Sequence, residues 1–325
     1  IPFCPAGLQA AMLGRSFEKG FSPVTSIEQR LPAARADRVP LGIAFMLAAT
    51  VMYSASTALS KWQVATYSFA EVLFIRTFAS LIVVSLLILP RFGLAVFRTQ
   101  RLRDHVGRSV TQTLAQSMIL IALSLMPIAG AVAINFSAPL FATLFAALWL
   151  KEKVGRARGA ALVVGFLGVV LVASPGADSF RTGALFAIAN AVLYGSVTAA
   201  VRGMSSTESA QTLTMYQMLF MLVFFVLALP IFGFSWPADK DATAMFVGGA
   251  FNGFGQYWWT RSLSLAPPAA VGPFYYFSLV WAMVLGFVFW GDIPTLPLLA
   301  GSTIVVGSGL FLLWRESGKK PLAAG

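Results

Sequence analysis

Glu71 and Arg76 are the only opposite charges inside one apolar run, the stretch 69–89. A helical ion pair needs a spacing of three or four residues. Five residues turn two side chains about 140° apart at 3.6 residues per turn, so the two groups face different neighbours. Glu71 opens the run, where snorkelling into lipid headgroups accounts for it. It is also the one carboxylate within a run that could carry a coupling proton. Arg76 lies about 10 Å deeper by helical rise. A charge at that depth faces a cavity or a partner, and either a substrate or gating contact or an anchor for backbone carbonyls fits it.

Uncharged polar groups interrupt other runs at Gln112, Gln116, Asn135, Asn190, Gln217, Asn252 and Gln256. An amide in hydrocarbon needs partners, from another helix or from a ligand. Asn135 stands four residues before Pro139. That proline removes a backbone donor, so it either frees a carbonyl toward a cavity or makes a packed kink. Aromatic residues recur at matching places, Tyr53 with Tyr194 and Phe136 with Tyr276, and Tyr275 adds a further ring. Such rings can line a site for a flat or aliphatic ligand; Trp258-Trp259 fits an interfacial belt. Glu152 and Asp292 close two runs, where local bonding or a gate latch would explain them. With Cys4 and His105 as the only cysteine and histidine, no metal site, cofactor site or catalytic set is indicated.

These residues need elements of a particular kind to hold them. Hydrophobic residues make up 58% of the 325 and charged residues 11%, with a mean hydropathy of +0.79. A soluble domain is about a quarter charged, so lipid is the solvent for most of this chain. Ten apolar runs follow a basic tail of residues 1–40: 41–60, 69–89, 108–125, 128–150, 157–174, 182–201, 211–230, 242–263, 268–290 and 297–314. Most are near the roughly 20 residues that cross a bilayer core as helix. The net charge of +11 does not form one patch; it is spread over segments between runs, which excludes nucleic acid as a partner and encodes orientation. Heavily basic segments fall on alternate sides, including Arg91, Arg98, Arg101, Arg103 and Arg108 in one loop. Both termini, including a C-terminal tail at 316–325, are therefore expected in the cytoplasm.

The chain also repeats itself. At a shift of 140, Leu123-Ser124-Leu125-Met126-Pro127 falls on Leu263-Ser264-Leu265-Ala266-Pro267, and Glu152 falls on Asp292. At 141, Tyr53, Thr57, Ala58 and Lys61 meet Tyr194, Thr198, Ala199 and Arg202. Five runs per repeat is an odd number, so the second copy enters the membrane from the opposite side. The expected fold is an all-α integral membrane protein, ten transmembrane helices as two inverted five-helix repeats at 41–175 and 182–315. Sites in such folds lie near the midplane where the repeats meet.

In this order, Arg76, Pro139, Glu152, the glycines Gly159, Gly165 and Gly168, and then Gly291-Asp292 with Gly301 and Gly307, the chain resembles the EamA (RhaT-like) family of the drug/metabolite transporter superfamily, ten-helix type. It departs at Lys151, where glycine is usual, at Asp292 for glutamate, and at Leu279, where the second repeat would echo Pro139. The resemblance implies secondary transport of an amino acid, amine, carboxylate or nucleotide-like cofactor, no cofactor, and a bacterial-type inner membrane. Partners would be the small-molecule substrate and membrane lipid, with a homodimer left open. Candidate cavity residues are Tyr53, Arg76, Asn135, Tyr194, Tyr275 and Tyr276; Glu71, Glu152 and Asp292 are candidates for coupling or gating. A flippase for lipids or hydrophobic compounds, or a channel, is the alternative. No G-x-x-x-x-G-K-[ST] or H-E-x-x-H run is present, so neither ATP-driven transport nor an intramembrane hydrolase is indicated.

Overall fold

A computed structural model describes residues 38–149, 155–173, 178–204, 207–266 and 268–317. The described residues form twelve α-helices and one 3-10 turn, with no strand among them. In the first half these are α1 (Val39–Val64), α2 (Phe69–Phe92), the turn Gly93–Phe97, α3 (Leu102–Leu125), α4 (Ile128–Asn135), α5 (Ala138–Trp149) and α6 (Arg156–Ala173). The second half holds α7 (Asp178–Met204), α8 (Ala210–Phe232), α9 (Asp239–Leu265), α10 (Pro268–Tyr275), α11 (Phe277–Trp290) and α12 (Leu296–Ser317). Among the described residues, seven helical segments are long and apolar enough to cross a membrane, two of them continuous across the α4–α5 and α10–α11 breaks. The third run expected from sequence starts earlier, at Leu102, so His105 belongs to a helix and not to a loop.

Matching serines start α2 and α8. Ser68 Oγ accepts from Glu71 N at 3.3 Å, and Ser209 Oγ from Thr212 N at 3.1 Å. Each satisfies an orphan donor of the first turn. The expected fourth run is broken at Phe136-Ser137, because Pro139 has no N–H to offer the Asn135 carbonyl. The ninth run breaks at the equivalent Tyr276 although Leu279 stands in the proline's place. There Pro273, inside α10 and three residues before the break, is the residue that lacks a backbone donor.

Packing is inside-out relative to a soluble protein. Leu86, Val163, Leu167, Leu185, Leu227 and Phe289 are exposed, while Thr50, Ser60, Arg76, Ser80, Gln112 and Asn190 are buried. The halves also interlock: α3 packs on α7 and α8, and α9 packs on α1 and α2. Small residues allow the closest crossings. Gly168 and Gly301 face each other where α6 meets α12, and Gly165 is covered by Leu140 and Ser308. Gly159 and Gly307 have open space where a Cβ would stand, so the close approach expected of the glycine-rich helix is confined to part of it.

The α2–α9 seam is the tightest test of this packing. A Cβ on Gly249 would overlap Arg76 O and come within 2.6 Å of Ala79 Cβ, whereas one on Gly107 would meet nothing within 4 Å. Gly249→Ala is expected to destabilise by about 1–3 kcal/mol through overpacking. Gly107→Ala, in an exposed turn of α3, should be neutral or stabilising by about 0.5–1 kcal/mol. Thermal unfolding of the two variants in detergent checks the contrast; equal midpoints would show that the helices can separate at no cost.

Candidate functional site

Arg76 is 9% exposed and points across α2 toward two other helices. Its Nη1 donates to Ser60 Oγ on α1 at 3.2 Å and its Nη2 to Gln116 Oε1 on α3 at 2.7 Å. Glu71 is not among its partners, as the spacing of five required. One turn on, Ser80 Oγ lies 2.8 Å from both Arg76 O and Gly249 O and accepts from Asn252 Nδ2 at 3.1 Å. Arg76 is thus held by neutral oxygens at the meeting point of four helices.

Around it, both halves contribute rings and amides. Tyr53 donates to Gln256 Oε1 at 2.8 Å, which ties α1 to α9. Phe136 meets Tyr275 edge-on at 5.8 Å and Tyr276 at 4.9 Å. Asn190 Nδ2 donates to Asn135 Oδ1 at 2.7 Å, which links α7 to α4 at the first helix break. Tyr276 is directed elsewhere: a Cβ on Gly309 of α12 would overlap its hydroxyl. Of the expected cavity residues, Tyr53 ties α1 to α9, Tyr275 packs on Phe136, Asn135 bridges to α7, and Tyr276 packs against α12.

The coupling and gating candidates lie apart from this centre. Glu71 is 1% exposed. It does not reach headgroups as expected, because the segment before α9 covers it: its Oε2 accepts from Ser235 N and Oγ, both at 3.4 Å, and Oε1 has no partner. Nearby Tyr67 donates to Asp241 Oδ2 at 2.7 Å. Asp292 follows Gly291, whose φ of 68° turns the chain out of α11. It interacts electrostatically with Lys61, and its buried Oδ2 has no hydrogen-bond partner. Lys61 Nζ donates to Leu123 O at 2.9 Å and Met126 O at 2.7 Å, where α3 exposes its last carbonyls, and sits 5.6 Å above the Trp290 ring. Glu152 lies outside the described residues.

A polar seam that the sequence reading missed joins the start of α3 to α8. Arg108, counted as a loop charge, is 5% exposed. Its Nη1 donates to Gln217 Oε1 at 2.9 Å, its Nη2 to Leu213 O, and its Nε has no partner. The signal was the register Arg108, Gln112, Gln116, which places three polar groups on one helical face. His105 is fully buried, with Nε2 3.7 Å from Glu208 Oε2 and its ring 4.5 Å from that of Tyr216. Thr99 donates to Glu208 Oε1 at 2.7 Å, and Tyr216 to Phe97 O at 2.8 Å.

This arrangement defines a class before it defines a family: a multi-span helical membrane protein whose polar interior is built jointly by two related halves. Residues 40–174 and 181–314 each match the model of the EamA-like transporter family, and the chain belongs to that family. It is similar to the riboflavin transporter of Rhizobium johnstonii, 28% identical over 294 residues that cover 87% of this chain and 94% of that protein. The riboflavin transporter of Vibrio cholerae is 30% identical over 246 residues, covering 74% and 82%. The S-adenosylmethionine uptake transporter of Rickettsia conorii is 25% identical over 280 residues, covering 85% and 93%. A solved crystal structure superposes with a TM-score of 0.60 over 86% of this chain and 99% of that one; at 20% identity the likeness concerns the fold alone. The protein is a membrane transporter, not an enzyme.

Two measurements follow from the site's periphery. Lys61→Met leaves the Leu123 and Met126 carbonyls without their donor, at a cost of about 1–3 kcal/mol for an unsatisfied buried group; a thermal midpoint equal to wild type would show that water replaces it. Burial lowers the His105 pKa, the nearby Arg108 adds to this, and Glu208 and Asp104 oppose it. The unfolded state therefore takes up a proton first, near its ordinary pKa of about 6.5. Stability present above that value should be lost as pH falls through it toward the lower folded-state pKa. His105→Gln is expected to flatten this part of the pH–stability curve, and an unchanged curve would assign the effect to other groups.

Proposed function

We propose that the protein is a secondary transporter of a small metabolite bearing a flat heteroaromatic ring, with riboflavin the first compound to test. The observation that carries this reading is the ring cluster of Phe136, Tyr275 and Tyr276 where the two halves meet, with the Tyr53–Gln256 and Asn190–Asn135 hydrogen bonds joining the same halves. Rings offer stacking surface and the hydroxyls and amides fix orientation. Riboflavin and S-adenosylmethionine, the compounds named for the similar transporters, each carry such a ring. S-adenosylmethionine is therefore the second compound to test.

The mechanism proposed is alternating access between two inverted repeats of five spans each. The third helix of each half packs on the first two of the other, and the two helix breaks meet at Phe136 and Tyr276, residues 140 apart in sequence. Equivalent positions in contact are what a pseudo-two-fold axis in the membrane plane produces. Broken helices expose backbone only where it is buried in protein or lines a cavity. The basic segments would face the cytoplasm of a bacterial inner membrane. Lys61 and Asp292 at one end, and Glu71 with Ser235, are the contacts proposed to part when the site opens.

Purified protein in liposomes should show saturable riboflavin uptake that unlabelled riboflavin competes away. Tyr275→Ala is expected to lower it tenfold or more, given roughly 1–3 kcal/mol for a lost aromatic stacking contact, with the folded protein still present in the membrane. Non-saturating flux would favour a channel, and no flux of riboflavin or S-adenosylmethionine would remove this reading. If Glu71→Gln retains full uphill uptake driven by a pH gradient, Glu71 is not the coupling group.

A further inference from the structure

Two arginines are buried in the bundle, and among the described residues neither lies within salt-bridge distance of a carboxylate. Arg76 is held by Ser60 and Gln116, Arg108 by Gln217 and the Leu213 carbonyl. The nearest candidates to neutralise them are committed elsewhere. Glu71, on the helix of Arg76, faces Ser235; Asp292 faces Lys61; Glu208 faces His105 and Thr99. The two guanidiniums are joined by one polar face of α3, since Gln116 bonds Arg76 and Arg108 stands eight residues earlier. Eight residues span about 12 Å at 1.5 Å per residue, which sets the separation of the two positions along the helix. Arg108 retains a buried Nε–H without a partner.

A buried charge is costly unless paired, and neutral oxygens offset only part of that cost. Two such cations, with no anion between them, give the interior a positive potential that repels a cationic ligand and attracts electron-rich groups. The guanidinium adds geometry, because its planar fork matches a carboxylate, a phosphate or a pair of carbonyl oxygens.

We propose that Arg76 and Arg108 are the two acceptor-recognising anchors of the transport site, so that it takes neutral or anionic ligands with an acceptor-rich edge and excludes cations. This rests on the transport reading above and narrows it: the imide edge of a flavin fits, whereas the sulfonium of S-adenosylmethionine does not. Arg108, absent from the residues expected from sequence, becomes a specificity residue.

The test uses the full chain in detergent with four probes, followed by quenching of tryptophan fluorescence and by thermal shift. Riboflavin is neutral with an imide edge and flavin mononucleotide adds a phosphate; thiamine and S-adenosylmethionine are cations carrying a heteroaromatic ring. Wild type should bind at least one flavin tenfold or more tighter than either cation. Arg108→Gln should lower that preference roughly tenfold or more, the worth of a charged hydrogen bond, and Arg108→Lys should restore part of it. Arg108→Lys also carries the test where Arg108→Gln does not fold. A merely structural Arg108 would lower stability and leave the ratio of flavin to cation binding unchanged, which overturns the proposal. Equal binding of thiamine or S-adenosylmethionine by wild type overturns it too, as does binding of none of the four. Selective flavin binding without uptake in liposomes would instead sink the transport reading and leave the recognition intact.

Discussion

The guanidinium of Arg76 is the constraint on which the rest of the bundle depends. In a chain solvated by lipid, a buried cation cannot turn to water, so protein oxygens must be brought to it. Here Ser60 comes from α1 and Gln116 from α3, while the Arg76 carbonyl is tied through Ser80 to α9. The first half supplies both partners of the guanidinium, and the second half joins through Gly249 and Asn252 at Ser80. The arrangement requires α9 to lie on α1 and α2, and the reciprocal contact puts α3 on α7 and α8. Interlocking is therefore the way each half satisfies the polar groups of the other. Gly249 belongs to the same solution, because only a residue without a Cβ lets α9 approach the Arg76 backbone.

The helix breaks follow a similar logic with different sequence. In the first half Pro139 removes the donor after the break, and in the second Pro273 removes one before it. The shape was reproduced although the residue at the matching position was not. Once both breaks exist, Phe136 and Tyr276 can pack on each other, and the amide of Asn190 can reach Asn135. Irregular backbone at membrane depth survives because these contacts cover it.

Much of this was legible in the chain itself. Apolar runs and the 140-residue shift give helices and duplication, because lipid demands long apolar segments and a repeat preserves their spacing. The polar interior was legible only in its outline. Arg76 stood out as a charge in hydrocarbon, and matched tyrosines marked Tyr53 and Tyr194. Arg108 was hidden because it sits at the edge of a basic loop, where composition reads as orientation signal; only its four-residue register with Gln112 and Gln116 distinguishes it. Glu71 was misjudged for the opposite reason. Its place at the start of α2 suggested headgroups, and the cover provided by Ser235 comes from a segment 164 residues away. Local sequence cannot announce such a contact.

The duplicated scaffold also separates what shapes the protein from what tunes it. Matched positions such as Ser68 with Ser209, or Thr57 with Thr198, make the same local hydrogen bond twice. The charges break the match: Arg76 falls on Gln217 at a shift of 141, and Arg108 falls on Gly248 at 140. Gln217 nevertheless receives Arg108, so an amide at the arginine's position in one half accepts from an arginine that the other half lacks. Geometry is conserved within the chain while charge is redistributed, and both cations end on helices of the first half. A site on a pseudo-symmetric axis with asymmetric charge can orient an asymmetric ligand, since its two ends meet different potentials. The same reasoning explains why relatives 25–30% identical can keep one architecture and carry different names for their cargo. On the proposed reading, specificity resides in the few positions where the two halves disagree.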